Sequence, residues 1–465
     1  MPRPLSPLER WYWIADQISP LNVLGRMTVE GRFDRRTARA GLDLLQRRHP
    51  ALRTAIAETP AGGPVFVDTA GPIPLVWRWE PGARLESSAR WAEDADRRHL
   101  AKSVDRHTGP LVRAEVVSAS EGRGRGVHEL VLVLHHAIAD GTTAMSLVRQ
   151  WAEHVAEVSG ASDSARGRGP GGAPRLPATE DLFPAEYRSE RGAAAAAEKR
   201  RRDADEAARS SPARVPRQAR VPFDRRRTRL VHRRLDTATT RALVQVCRER
   251  GVTVHGALAA GLVRAVRQDA GASSGARFAI GSPVSFRAEL DPPVGPDDAG
   301  SFVATLPTIV DGDADLWDTA RAVNADLARR RARGEHFSMI NDLAARVGPD
   351  VGGSLELLHY MDREGPINLC LTNIGAVRLP ERIGSLRVLD ADFAAGISVT
   401  GVLVAAATTA HGRLNWNLTY VDGLVTHDRA ARLADASLDG LVALARRAAG
   451  ERERTNPERR GGSQG

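Results

Sequence analysis

The chain is poor in cysteine, lysine and aromatic side chains. Its two cysteines, Cys247 and Cys370, lie far apart among apolar neighbours, which excludes a disulfide framework and marks them as buried thiols of a reducing compartment. No apolar run approaches the roughly 18 residues that a membrane-spanning helix needs. The opening MPRPLSPLERWYWIADQ lacks the continuous apolar core of a signal peptide, so a cytoplasmic location is expected. A phosphate loop ending in GK[ST] is missing. The nearest approach to a hydrolase elbow, Gly396-Ile-Ser398-Val-Thr400-Gly401, has the wrong spacing. Gly122, Gly124 and Gly126 precede a strand instead of following one, so they read as a turn and not as a dinucleotide loop.

Lys102 and Lys199 are the only lysines, and the basicity is carried by arginine. The net charge of +9 is concentrated: residues 199–234 hold fourteen Lys or Arg against four Asp or Glu, a local +10 that leaves the rest near −1. A nucleic-acid surface is therefore not expected, because the charge sits in one connecting segment with few interleaved aromatics. Its arginines are candidates for coenzyme phosphates or for the acidic face of a carrier protein, and equally for a solvated linker.

A hydrophobic content of 42% over 465 residues excludes general disorder and implies at least two cores. Ser6 with Glu9 forms a capping-box pattern before a helix over 7–17, whose apolar side is Trp11, Ile14 and Ile18. A strand at 22–31, a helix after Asp34 stopped by Pro50, and short strands at 52–57, 64–68 and 75–79 follow. A charged helix is expected from about 86 to 106. From about 158 to 227 the pattern dissolves into Gly, Ser, Pro, Ala and Arg, and the alanine-rich stretch 193–209 has little apolar surface to bury, so it is expected to be solvated or mobile. The second half alternates strands at 228–235, 277–285, 302–310 and 415–421 with helices, the last over 427–447. Gly352, Gly353 and Ser354 imitate a carrier attachment site, but the serine follows the glycines directly inside a larger domain.

One stretch concentrates the chemistry. VHELVLVLHHAIADGTTAMSLVRQ, residues 127–150, is an apolar strand that stops at His135 and His136 and gives way to Asp140, Gly141 and a helix. In a strand, His135 shares a face with Val131 and Val133, and His136 with Leu132 and Leu134, so only one of the pair can face a given cavity. An imidazole titrating near pH ~6.5 suits general-base chemistry. A packed histidine and an Asp140 that merely caps the helix are the structural alternatives. A metal reading of His136 with Asp140 lacks a third ligand nearby.

His135-His136-Ala137-Ile138-Ala139-Asp140-Gly141 resembles the HHxxxDG motif of the chloramphenicol acetyltransferase-like superfamily, which holds nonribosomal condensation domains, polyketide-associated (Pap-type) acyltransferases and wax-ester synthases. PLSPLERWYW resembles the family's opening motif and RRHPALRTAI its second. Phe286-Arg287 resembles its arginine motif, Gly300-Ser301-Phe302-Val303 its G-x-F-V motif, and Leu371-Thr372-Asn373-Ile374-Gly375 the SN-x-G-like strand of Pap-type members. The resemblance runs over residues 4–448.

It implies an α/β (α+β) pseudo-dimer of two similar subdomains with a central tunnel. The N-terminal subdomain would span 1–160, the connection 161–227, the C-terminal subdomain 228–448 and a disordered tail 449–465. His136 would be the general base, and Asp140 would pair with Arg287 to hold the turn. His135, Gly141 and Asn373 would complete the substrate site, His135 as a packed or orienting neighbour and Gly141 as the hinge of the helix. The plant-type DFGWG motif and the tyrosine-rich motif of modular condensation domains are absent from this sequence, and a chain without an attached adenylation or carrier domain is expected. The resulting expectation is a free-standing, monomeric acyltransferase without bound cofactor or metal. It would move an acyl group from coenzyme A or a phosphopantetheine-bearing acyl carrier protein to a hydroxyl of a small molecule in natural-product or lipid assembly. An amide-forming condensation enzyme and a non-catalytic module that recruits carrier proteins through its basic segment are the alternatives.

Overall fold

The computed structural model describes residues 2–59, 63–85, 88–119, 125–160, 175–271, 273, 275–365, 367–397 and 401–455. Gly122 and Gly124 of the expected turn, the start of the connection at 161–174, Ser398, Thr400 and the tail 456–465 lie outside the described residues. Among the described residues no helix is long and apolar enough to cross a membrane.

Two six-stranded sheets form the frame. The first runs in the order Arg382–Ile383, Leu386–Ala395, Asn22–Gly31, Gly126–His135, Val112–Ser118, Leu75–Trp79. The second runs Val303–Asp311, Arg277–Ser285, Leu369–Ala376, Leu403–Ala410, Arg413–Val421, Thr228–Leu235. Each sheet has helices on one side: Arg35–Arg48 and Gly141–Gly160 cover the first, and Val254–Asp269, Leu316–Ala332 and His427–Thr455 the second. The two halves therefore repeat one architecture, a pseudo-dimer of mixed α/β layers.

The histidine strand shows how sequence sets this packing. Leu130, Leu132 and Leu134 join the cluster under the covering helices, while Val131 and Val133 point the other way, into a cluster with Leu24, Trp91 and Leu230 that bridges the halves. Both faces are apolar because both are buried.

The hairpin of Arg382–Ile383 and Leu386–Ala395 crosses between the halves. Leu386–Ala395 belongs by sequence to the second half, yet it pairs antiparallel with Asn22–Gly31, Ala395 opposite Val23 and Arg387 opposite Glu30. Its other edge meets the second sheet through side chains. Asn417 donates from Nδ2 to Asp392 Oδ2 and to the Phe393 carbonyl, both at 2.8 Å, and Asn415 donates to the Ala391 carbonyl at 3.1 Å. Side-chain amides thus substitute for a backbone ladder and satisfy carbonyls that the seam would otherwise bury unpaired.

Three expectations need correction. The helix expected over 86–106 is broken: Ser88–Asp94 is helical, Ala95–His99 widens into a π-turn, and the chain then leaves the helix. The alanine-rich stretch is docked along one face, although most of its residues remain exposed. It is the helix Ser189–Ser210, docked on Glu335–Arg346, with Gly192, Ala196 and Lys199 buried. Small side chains allow that approach; a Cβ on Gly192 would stand 2.2 Å from the Tyr187 carbonyl oxygen. Arg330 then anchors the helix, meeting Asp203 at 3.0 Å, Asp326 at 2.8 Å, Glu335 at 2.9 Å, and Glu206. Finally, the last helix continues to Thr455 and does not end at 447.

Candidate active site

The apolar strand ends at His135, and His136–Ile138 form a short 3-10 turn before the helix Gly141–Gly160. This break separates the two imidazoles. His135 is fully buried: its Nδ1 accepts from the Ala137 N–H at 3.1 Å, and its Nε2 lies 3.6 Å from Asp16 Oδ2. It does not line the cavity described below. Asp16 is in turn held by the Leu21 N–H at 2.8 Å. Burial opposes its charge, but His135, that N–H and Arg106 together keep its carboxyl below the usual range.

His136 faces a cavity of about 850 Å³ that lies between the halves. Its wall takes Trp11 and Tyr12 from the first helix, Val303 and Cys370 from the second sheet, and Phe393 from the crossing strand. Ala204, Ala207 and Arg200 come from the docked helix Ser189–Ser210, which the sequence had assigned to a linker. Tyr12 stacks flat on His136, ring centroids 3.9 Å apart with 13° between planes. Burial pushes the His136 imidazole down to about 4 against the opposing pull of its own backbone carbonyl and of Asp140, so the ring is neutral at pH 7. Its Nδ1 is buried beside the carbonyls of His136 itself and of Ala139.

Asp140 is among the residues that line this space, yet its carboxylate is taken up by protein groups. Its carboxylate accepts from the Thr143 N–H at 2.7 Å, capping the helix, and from the Phe302 N–H at 2.9 Å. Both its oxygens lie 3.3 Å from Arg287 Nη2. Arg287 also donates from Nη1 to the carbonyls of Gly295 and Asp298, each at 3.0 Å, and stacks over the Phe302 ring at 4.5 Å. The Gly300 carbonyl accepts from the Asp140 N–H at 3.3 Å and from the Thr143 hydroxyl at 2.6 Å. The histidine turn of one half is thus clamped to the arginine loop of the other.

Gly141 is required for space: a Cβ there would lie 2.6 Å from Phe393 Cε2, and its φ is not in the left-handed region, so it is a contact point where a hinge was expected. Asn373 lines the cavity, and its Oδ1 accepts from the Gly375 N–H at 2.8 Å, closing a bulge in which Gly375 has φ +74°. Cys370 also faces the cavity, and burial raises its thiol to about 12, too high for an attacking thiolate near neutral pH. Among the described residues no group of three or more His, Cys, Asp or Glu could hold a metal ion.

Tyr12 and Asp16 carried no functional signal in sequence. Their i, i+4 spacing on one helix face opposite a double histidine is the pattern that marks them, and it becomes informative only once that helix is known to pack on the turn.

His136 thus stands at the wall of a cleft between two similar α/β layers. The Condensation domain model matches residues 4–160 and the model of the phthiocerol/phthiodiolone dimycocerosyl transferase C-terminus matches 224–420. The first part of the chain is thus similar to condensation domains and the second to the C-terminus of a Pap-type transferase, which supports the chloramphenicol acetyltransferase-like family that the motifs resemble. A chondramide synthase of Chondromyces crocatus is 34% identical over 154 residues, which are 32% of this chain and 4% of that far longer protein. In structure, the trichothecene 15-O-acetyltransferase TRI3 of Fusarium sporotrichioides superposes with a TM-score of 0.71 at 12% identity, covering 95% of each chain. Polyketide synthase associated protein 5 of Mycobacterium tuberculosis does so with a TM-score of 0.62 at 18% identity, covering 95% of this chain and 97% of that one. At such identities the likeness is one of fold.

Proposed function

We propose that the protein is an acyltransferase in natural-product or lipid assembly that moves an acyl group from a thioester of coenzyme A or of a carrier protein to a hydroxyl. The observation that carries this reading is a neutral His136 at the wall of an 850 Å³ cavity bounded by both halves. Cavities of ~300–1,000 Å³ suit small-molecule substrates. Donor and acceptor enter this space from opposite faces and meet at His136. Nε2 takes the proton of the acceptor hydroxyl as its oxygen attacks the thioester carbonyl; the C–O bond forms, the C–S bond breaks, and the departing thiolate takes the proton back from the imidazolium. Asp140 and Arg287 hold the turn and do not touch substrate.

Amide formation is the second reading, favoured by the match of residues 4–160 to the Condensation domain model and to a chondramide synthase. An open cavity weighs against a purely recruiting role. Incubation with a panel of acyl-coenzyme A and acyl-pantetheine thioesters and with alcohol and amine acceptors, read by mass spectrometry, separates ester from amide products. His136→Ala is expected to lower turnover by ~10²–10⁴-fold. A loss below about tenfold removes His136 from the role of base.

A further inference from the structure

The strand Arg277–Ser285 lies inside the second sheet, between Val303–Asp311 and Leu369–Ala376, yet it carries Pro283. A proline is tolerated inside a sheet only where no neighbour needs its missing N–H. Phe286 donates to the Phe302 carbonyl at 3.1 Å, so by the alternation of an antiparallel pair residues 281, 283 and 285 turn their backbone groups to the other neighbour, Leu369–Ala376. Among the described residues that parallel ladder registers at a single pair, Gly281 opposite Cys370. On its other side Leu369–Ala376 keeps five consecutive pairs with Leu403–Ala410, from Leu369 to Asn373.

Beyond Gly281 the two strands therefore part, and the cavity enters between them. Pro283 and Ser285 line it from one strand, and Thr372, Asn373 and Ile374 from the other. Three successive residues share one cavity only where the edge of their strand is open as well as a face. The slot opens at the motif turn, since a Cβ on Gly141 would stand 3.3 Å from Ile374 Cγ2. Its far end is closed. Gly281 has no side chain, and Ile367 and Thr305 fill the place, their Cγ2 atoms 2.7 and 2.8 Å from where a Cβ would stand. Both also line the cavity. The strand from Ser285 to Gly281 spans ~14 Å at ~3.4 Å per residue. No residue by which these three strands line the cavity is charged; the charged groups of its wall sit on other segments.

We propose that this slot receives an unbranched alkyl chain of a substrate, acyl or alcohol, and that Ile367 is the specificity-determining residue that sets the length accepted. The proposal deepens the acyl-transfer reading and rests on it for turnover, whereas occupation of the slot is tested by binding alone. Full-length protein and its Ile367→Ala and Ile367→Phe variants, shown folded by their far-ultraviolet spectra, are titrated calorimetrically with straight-chain fatty acids of increasing length. The same proteins are assayed with straight-chain acyl-coenzyme A donors at a fixed acceptor, and with straight-chain alcohols at a fixed donor.

Ile367→Ala removes the side chain beyond Cβ, so the length bound most tightly rises by about two to three methylenes, and Ile367→Phe shortens it. One methylene in an apolar pocket changes kcat/KM by ~10–200-fold, so the preference between successive lengths moves by at least about tenfold in the same direction. The turnover series whose optimum moves identifies the substrate that occupies the slot. An unmoved optimum in the binding series overturns the proposal, as does the absence of binding at every length or an unmoved optimum in both turnover series. If the wild type turns over no donor, the acyl-transfer reading fails, and the binding series then decides the slot by itself.

Discussion

Asp140→Ala tests the clamp between the halves. Asp140 and Arg287 are 2% and 6% exposed, so the variant strands a guanidinium in the interior. Removing one partner of a buried ion pair costs ~3–5 kcal/mol. The helix cap at Thr143 adds ~1 kcal/mol. Arg287 keeps the carbonyls of Gly295, Asp298 and Gly300 as partners, which places the ion-pair loss at its low end and the total at about 4 kcal/mol. Urea denaturation followed by the fluorescence of the eight tryptophans is the assay. Arg287→Met should cost less than Asp140→Ala, because Asp140 retains the N–H groups of Thr143 and Phe302. The double variant Asp140→Ala/Arg287→Met should be less unstable than the sum, since neither charge is then left alone. A loss below about 1 kcal/mol in Asp140→Ala, or strict additivity in the double variant, would refute the clamp.

Three other outcomes are expected. The acid limb of kcat/KM should fall near pH 4, well below the ordinary 6.5, because a base lowered to about 4 stays neutral above that value and is lost as pH falls through it; a limb at 6.5 would show His136 solvated in the free enzyme. Gly141→Ala should cost ~1–3 kcal/mol, since Phe393 is 1% exposed and cannot swing clear of a Cβ at 2.6 Å; thermal denaturation checks it, and an unchanged midpoint would show that the site relaxes. Arg330→Met leaves Asp203, Glu206, Asp326 and Glu335 facing one another, so the helix Ser189–Ser210 should detach first and limited proteolysis should cut within it before the rest of the chain; wild-type resistance there would show that apolar packing alone holds the helix.

Local signals carried much of the fold. The strands Asn22–Gly31 and Thr228–Leu235, the capping box at Ser6 and Glu9, and the start of a helix after Asp34 were legible because each depends on residues a few positions apart. The break in the helix after Asp94 was not, since tertiary packing of Trp91 and His99 overrides an even distribution of charge.

The family and the motif turn were likewise determined by the sequence, since an ordered set of short patterns from Pro4 to Gly375 needs no coordinates to be recognised. Three things were decided only by tertiary structure. The strand Leu386–Ala395 completes the opposite sheet because pairing partners more than 350 residues apart are chosen by where both halves place a free edge. An alanine-rich helix with little apolar surface docks because a buried arginine collects four carboxylates, only one of them in the same turn of chain. And of two adjacent histidines, one is locked beside Asp16 and the other laid against Tyr12, because the strand ends between them and a helix from the N-terminus packs across the break.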